Sequence, residues 1–169
     1  PNSRQNRRQE EHFFDWIPQR RFTTGQVTYN DYQFKNPTSN MKAEKSGDAA
    51  YEHGALEEYD YPSKYETQGD GKSYAESRLD MHRAADGHFL ASGNCISLYP
   101  GALMKLDNHK DAQQNSEYLI LRCAHSYSAQ SYRSGSASST REVYEGNFEF
   151  MRSDKPFAPK QTTARPLVP

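Results

Sequence analysis

Four residues have side chains that could hold a metal ion: Cys95, His109, Cys123 and His125. Zinc accepts two thiolates and two imidazoles in a tetrahedron. Cys123 and His125 lie two apart in a segment of strand character, which puts both on one face. Their spacing to Cys95 and His109 fits no common zinc module, and no Cys-x-x-Cys clamp nucleates a site. The same residues raise a second chemistry, a Cys123 nucleophile activated by histidine. An apolar strand setting favours an inert thiol instead. Glu57, Glu58 and Asp60 form a third cluster. Alternation places Glu58 and Asp60 on one strand face and Glu57 on the other, whereas glycosidase carboxylates must oppose each other across a cleft. A solvated strand face accounts for them more simply. There is no Gly-x-Ser-x-Gly elbow, and Gly69-Asp70-Gly71-Lys72 lacks the spacing of a phosphate loop. The expectation is a chain without catalytic, cofactor-binding or metal-ligating residues, and no enzyme.

Composition narrows the remaining classes. The 21 basic and 22 acidic residues nearly cancel, so no electrostatic argument favours nucleic acid or an anionic membrane. The short basic runs at 4–8 and 20–21 read as solvated surface. Apolar residues make up 34% of the chain and the mean hydropathy is -1.09. Ordinary globular domains hold about 45–50%. The chain is therefore partly disordered or buries its faces against partners. Its 12 Tyr, 8 Phe and 1 Trp argue against wholesale disorder and for strands with one wet face. No apolar run reaches the ~20 residues that span a bilayer. Two cysteines are too few for a disulfide framework, which leaves two reduced thiols or a single Cys95–Cys123 bridge.

The elements that must position these residues are mostly strands. The cluster Phe13, Phe14, Trp16, Ile17 stops at Pro18 and has no decisive period. Strands are expected at 25–34, 56–61, 88–91, 95–98, 103–106, 117–127 and 141–151. The last carries an apparent phase slip at Gly146, read as a bulge. The stretch 36–50 reads as a long polar loop, and its Asn36-Pro37-Thr38 is no glycosylation acceptor. One helix is expected at 72–86, with Ala75, Leu79 and His82 on one face and Gly87 past its end. The serine-rich stretch 126–139 reads as a flexible hairpin tip. The fold class is mainly β: an antiparallel, barrel-like domain with one amphipathic helix and long polar loops.

Five strings, in order, carry a family resemblance. They are Gly25-Gln26-Val27-Thr28-Tyr29-Asn30-Asp31-Tyr32-Gln33-Phe34, Glu58-Tyr59-Asp60-Tyr61-Pro62, Gly93-Asn94-Cys95-Ile96-Ser97-Leu98-Tyr99-Pro100-Gly101, Glu117-Tyr118-Leu119-Ile120-Leu121, and Pro156-Phe157-Ala158-Pro159 with the closing Pro166-Leu167-Val168-Pro169. Together they resemble the VgrG spike proteins of type VI secretion (Rhs element Vgr proteins) and the related hub proteins of contractile phage tails.

The resemblance implies a structural role in a cell-puncturing spike. Such proteins form a homotrimeric hub of β-barrel domains that docks on the hexameric tube protein Hcp. A needle follows, with a tip-capping protein and effectors attached through other regions. The assembly forms in the bacterial cytoplasm and is then secreted or delivered into a target cell. On this reading residues 1–24 continue from the first half of the hub. Residues 25–159 form the second hub domain, a barrel with an inserted loop at 35–55 and a helix at 72–86. Residues 160–169 lead toward an oligosaccharide-binding-like and needle region. The resemblance implies no catalytic residues. Pro62, Pro100 and Gly101 would set turns, and Tyr59 and Tyr61, on one strand face, would pack beneath the barrel or against a neighbour.

Three other readings stand beside it. A hub or baseplate protein of a phage or phage-like tail shares the same physics. A tyrosine-rich secreted binding module would need a defined pocket. A Cys123 hydrolase would need a thiolate.

Overall fold

The computed structural model describes residues 10–48, 54–128 and 143–163. The expectations for 1–9 and 164–169, and for the serine-rich tip over 129–142, fall outside the described residues. The chain divides into two compact units. One comprises residues 1–19 and 87–154, and the other residues 20–86 and 155–169.

The first unit is a curled, half-barrel sheet of five antiparallel strands. Its strands are β1 (Phe13–Gln19), β5 (His88–Gly93), β6 (Leu103–Lys105), β7 (Glu117–Ser128) and β8 (Val143–Arg152), in the order β1-β5-β8-β7-β6. Pro18 does not end β1. It lies on an edge strand, where a missing N–H costs no ladder bond. Inward-facing side chains form rows across four strands. One row is Trp16, Ala91, Phe148 and Cys123, and the next is Phe89, Phe150 and Ile120, with the exposed Pro18 at its β1 end. Trp16 stacks on Phe89 at 5.5 Å and meets Tyr118 edge-on at 4.9 Å. Such ring pairs contribute about 0.5–1.5 kcal/mol each beyond burial.

Two expectations about this sheet need correction. Residues 95–98 form a turn, not a strand, because β5 ends at Gly93 and Asn94 turns the chain back onto His12. The expected bulge at Gly146 is absent from β8. Tyr144, Gly146, Phe148 and Phe150 all keep one phase, and the register shift of this hairpin lies on β7, between Ile120 and Arg122. β7 itself runs to Ser128, three residues into the stretch read as loop.

The second unit has a three-stranded sheet, β3-β2-β4, and one helix. Its elements are β2 (Gln26–Tyr29), β3 (Ala43–Ser46), β4 (Glu57–Asp60) and α1 (Gln68–Arg83). β2 pairs antiparallel with β3 and parallel with β4, the one parallel pairing among the described residues. β3 lies inside the stretch expected to be loop. Its sequence, Ala-Glu-Lys-Ser, is a poor strand former, and its pairing with β2 and the burial of Ala43 hold it. Val27 packs on Ala75 and Leu79 of α1, while Met41, Ala43 and Tyr65 form a second small core. The helix starts four residues earlier than the spacing suggests. Thr67 caps it, accepting a bond from Asp70 N at 3.2 Å. Gly25 enters β2 where a Cβ would fall 1.3 Å from Gly54 O, so only glycine fits.

Candidate functional site

The four residues weighed as metal ligands do not come together as one set. His109 sits in the loop between β6 and β7, where it and Asn115 exchange bonds: His109 N donates to Asn115 Oδ1 at 2.8 Å and Asn115 Nδ2 to His109 O at 3.3 Å. Among the described residues, no three or more His, Cys, Asp or Glu converge to hold a metal.

Cys95, Cys123 and His125 do share one neighbourhood. Cys95 is buried after β5, and Cys123 and His125 point from β7 to the inner face. The contacts are structural. His125 Nε2 lies 3.1 Å from Leu98 O, and Nδ1 lies 2.5 Å from Tyr144 Oη. The Tyr144 hydroxyl donates to Cys95 O at 3.1 Å. From the other side Ser97 N donates to Glu11 Oε1 at 2.9 Å and His12 N to Asn94 Oδ1 at 2.6 Å. The 94–99 segment is thus tied to β7 and β8 and to the start of β1. Both thiols are free. Burial pushes Cys95 up to about 12, helped by the nearby Glu11 carboxylate, and burial also raises Cys123. A thiol held protonated at neutral pH is a poor nucleophile. The histidine in contact range points at a tyrosine and a carbonyl, not at sulfur.

The acidic strand is likewise partnered on one face. Glu58 receives Arg78 Nε at 2.9 Å, and His82 Nε2 lies 2.6 Å from its other oxygen. Arg78 and His82 sit one turn apart on α1, so helix geometry delivers both to the same carboxylate. Glu57 and Asp60 are exposed and make no ion pair among the described residues. Near Asp60 a cleft of about 560 Å³ opens within the second unit, lined by Tyr29, Pro62, Tyr74, Arg78 and Met81 among others. The Gly69-Asp70-Gly71 turn belongs to the first turn of α1. Gly71 packs against Tyr65, where a Cβ would fall 2.6 Å from the ring.

Three polar clusters were missed in the sequence reading. Glu149 on β8 accepts from His88 Nδ1 at 2.8 Å and Arg122 Nη2 at 2.8 Å. Burial would raise that carboxyl, but the bonds from His88 and Arg122 outweigh it and hold it below its ordinary 4.5. Asp86 accepts Arg20 Nε at 3.0 Å and the backbone N–H of Arg21 at 2.7 Å. The third is the His125–Tyr144 network. Strand alternation on β7 and β8 carried a signal for two of them, since Arg122 and Glu149 face outward while His125 and Tyr144 face inward.

Several large apolar side chains are also exposed. In the first unit Ile96, Tyr99 and Tyr127 stand in solvent, and in the second Phe22, Tyr32, Phe34 and Phe157 do. Tyr32 and Phe34 occupy a braced loop, in which Gln33 Nε2 donates to Glu66 O at 2.9 Å and Asp31 Oδ2 accepts from Tyr65 N at 3.2 Å. Rigid, exposed aromatics suit contact surfaces. No described helix is long and apolar enough to cross a membrane.

The chain is similar to several spike proteins of type VI secretion. The type VI secretion system spike protein VgrG1b of Pseudomonas aeruginosa is 28% identical over 163 residues, covering 95% of this chain and 22% of that protein. VgrG2a of the same organism is 35% identical over 103 residues, covering 60% of the chain and 12% of its own length. VgrG3 of Vibrio cholerae is 29% identical over 107 residues, covering 61% and 10%. The chain thus spans about a fifth of the length of the first of these relatives, at 22%. Residues 1–131 match the family described as Phage tail baseplate hub (GPD), and the chain belongs to that family.

Proposed function

We propose that the chain is part of the hub of a type VI secretion spike. It serves there as a structural scaffold and not as an enzyme. The observation that carries this reading is the similarity to spike proteins across 95% of the chain, joined to the hub-family match over residues 1–131. The buried Cys95 thiol, pushed up to about 12, and the Glu58 carboxylate bonded by Arg78 support the non-catalytic part. The exposed aromatics support the structural part. On this reading the hub is a homotrimer that docks on the hexameric tube protein Hcp. It assembles in the bacterial cytoplasm and leaves the cell with its effectors. A phage or phage-like tail hub is the second reading, favoured by the family's own description. The test is the solution mass, by light scattering, of the natural polypeptide that contains this segment. A trimer that binds hexameric tube protein is expected. A monomer without affinity for the tube overturns the proposal and brings forward the tyrosine-rich binding module.

A further inference from the structure

Three polar contacts tie the 94–99 segment to β7 and β8, and together they need one proton more than a neutral histidine supplies. His125 Nε2 lies 3.1 Å from Leu98 O, and Nδ1 lies 2.5 Å from Tyr144 Oη. The same hydroxyl lies 3.1 Å from Cys95 O. A carbonyl oxygen only accepts, so Leu98 O requires a proton on Nε2, and Cys95 O requires the hydroxyl proton of Tyr144. The middle contact then needs a proton on Nδ1. A neutral imidazole carries one ring proton and an imidazolium two. With neutral His125 the hydroxyl must turn to Nδ1, and Cys95 O loses this donor. With the imidazolium all three bonds form at once.

His125 is exposed, so it follows the pH of the solvent. Among the described residues, Tyr144 faces it from β8, and Cys123 and Tyr127 flank it on the same face of β7. Cys95 and Tyr99 belong to the segment itself, and Glu11 and His12 hold that segment from ahead of β1. Burial pushes the Cys95 and Cys123 thiols and the Tyr144 phenol upward. Burial would raise the Glu11 carboxyl too, but its bonds from Ser97 hold it below its ordinary 4.5. Between about pH 5.5 and about pH 7.5, histidine is therefore the side chain that changes charge here.

We propose that His125 and Tyr144 form a proton-operated latch on residues 94–99. A second proton on the imidazole releases the Tyr144 hydroxyl to Cys95 O and fastens the segment. The added bond is lost as pH rises and that proton leaves. Ile96 and Tyr99, each 66% exposed, ride on the segment, so the latch sets how firmly these apolar side chains are presented. The inference is independent of the spike reading, because it concerns bonds within one sheet.

The test uses the whole chain. Imidazole nitrogen shifts in NMR report whether His125 carries one ring proton or two. Hydrogen exchange of the Asn94 and Ser97 amides, which donate to His12 O and Glu11 Oε1, reports opening of the segment. Corrected for intrinsic rate, their protection should fall about two- to tenfold from about pH 5.5 to about pH 7.5, in step with loss of the second His125 proton. His125→Gln and Tyr144→Phe should each flatten this dependence. Full pH dependence in a folded His125→Gln variant would assign the effect to His12 and overturn the proposal. Protection in the parent protein that stays constant while His125 titrates would overturn it as well, and that readout needs no variant.

Discussion

Gly146 lies directly across the β7–β8 ladder from His125, and the Cβ it lacks would fall 2.3 Å from Phe148 Cζ and 2.8 Å from Tyr144 Oη. Gly93, its partner on β5, faces Phe13 across β1, where a Cβ would fall 2.5 Å from His12 O. One row of the sheet thus reads Phe13, Gly93, Gly146, His125, with empty centres and rings at both ends. Gly146 makes room for the Phe148 and Tyr144 rings from neighbouring rows, and Gly93 for the His12 carbonyl and Phe13 beside it. Gly146→Ala should therefore overpack this row and lower stability by about 1–3 kcal/mol. Urea unfolding followed by Trp16 fluorescence would measure it. An unchanged midpoint would mean the Phe148 ring moves aside freely.

That row also shows what could and could not be read from the sequence. The alternation Tyr144, Phe148, Phe150 was visible, but the missing ring at 146 looked like a broken phase. Only the neighbouring strands reveal that the gap is filled from the side. The helix was legible because Ala75 and Leu79 keep a three-to-four spacing. Its first turn was not, because Gly69 and Gly71 read as turn residues, and the packing of Tyr65 on Gly71 appears only in the fold. β3 carries no pattern of its own. Parallel pairing of β2 with β4 leaves no local trace, since it joins segments about thirty residues apart. The half-buried strand setting of Cys123 was legible from Leu119 and Leu121 beside it. The bond from Tyr144 to the Cys95 carbonyl was not, because it crosses 49 residues of chain.

Thr67 holds the start of α1 with one hydroxyl, accepting from Asp70 N and donating to Asp70 Oδ2 at 2.7 Å. Thr67→Ala should cost about 1 kcal/mol, and Thr67→Ser should recover most of it. Thermal unfolding by circular dichroism at the helix band would rank the three proteins. Equal midpoints would show that packing of Ala75 and Leu79 alone sets the helix.

Glu149 links stability to pH. Its carboxyl is held below its unfolded value by bonds from His88 and Arg122, against the opposing effect of burial. A depressed folded value means the contribution is fully present above the unfolded value near 4.5. It is lost as pH falls through the lower folded value. Glu149→Gln should remove this contribution, so the variant should lose less stability than the parent between pH 7 and pH 3. Urea midpoints across that range test it. Parallel curves for the two proteins would assign the acid sensitivity to other carboxylates.

Burial separates the two thiols. Cys95, pushed up to about 12, should resist alkylation by iodoacetamide at pH 8 while the protein is folded. Cys123, half-buried on β7, should react first. Peptide mapping by mass spectrometry after timed quenching distinguishes them. Rapid labelling of Cys95 without unfolding would show that the 94–99 segment opens, despite its ties to Glu11, Asn94 and Tyr144.

The widest consequence concerns the segment between β1 and β5. Gln19 and His88 are register partners at the end of that ladder, so the chain leaves and re-enters the first sheet at adjacent positions. Inside the second unit the two ends of the same segment are clasped together. Asp86 accepts from Arg20 Nε and from Arg21 N, and pairs with Arg20 Nη2 at 3.0 Å. β1 and β5 therefore have the geometry of a hairpin carrying a large insertion at its turn. Replacing residues 20–87 with Asn-Gly, in a chain ending at Asp154, should close that hairpin with a type I′ turn. The aromatic core of Phe13, Trp16, Phe89, Tyr118, Phe148 and Phe150 lies wholly within what remains. Trp16 fluorescence should stay blue-shifted, and unfolding should stay cooperative. A red-shifted, non-cooperative product would show that the sheet depends on the inserted segment, and the ladder between Gln19 and His88 would then be a consequence of the whole fold.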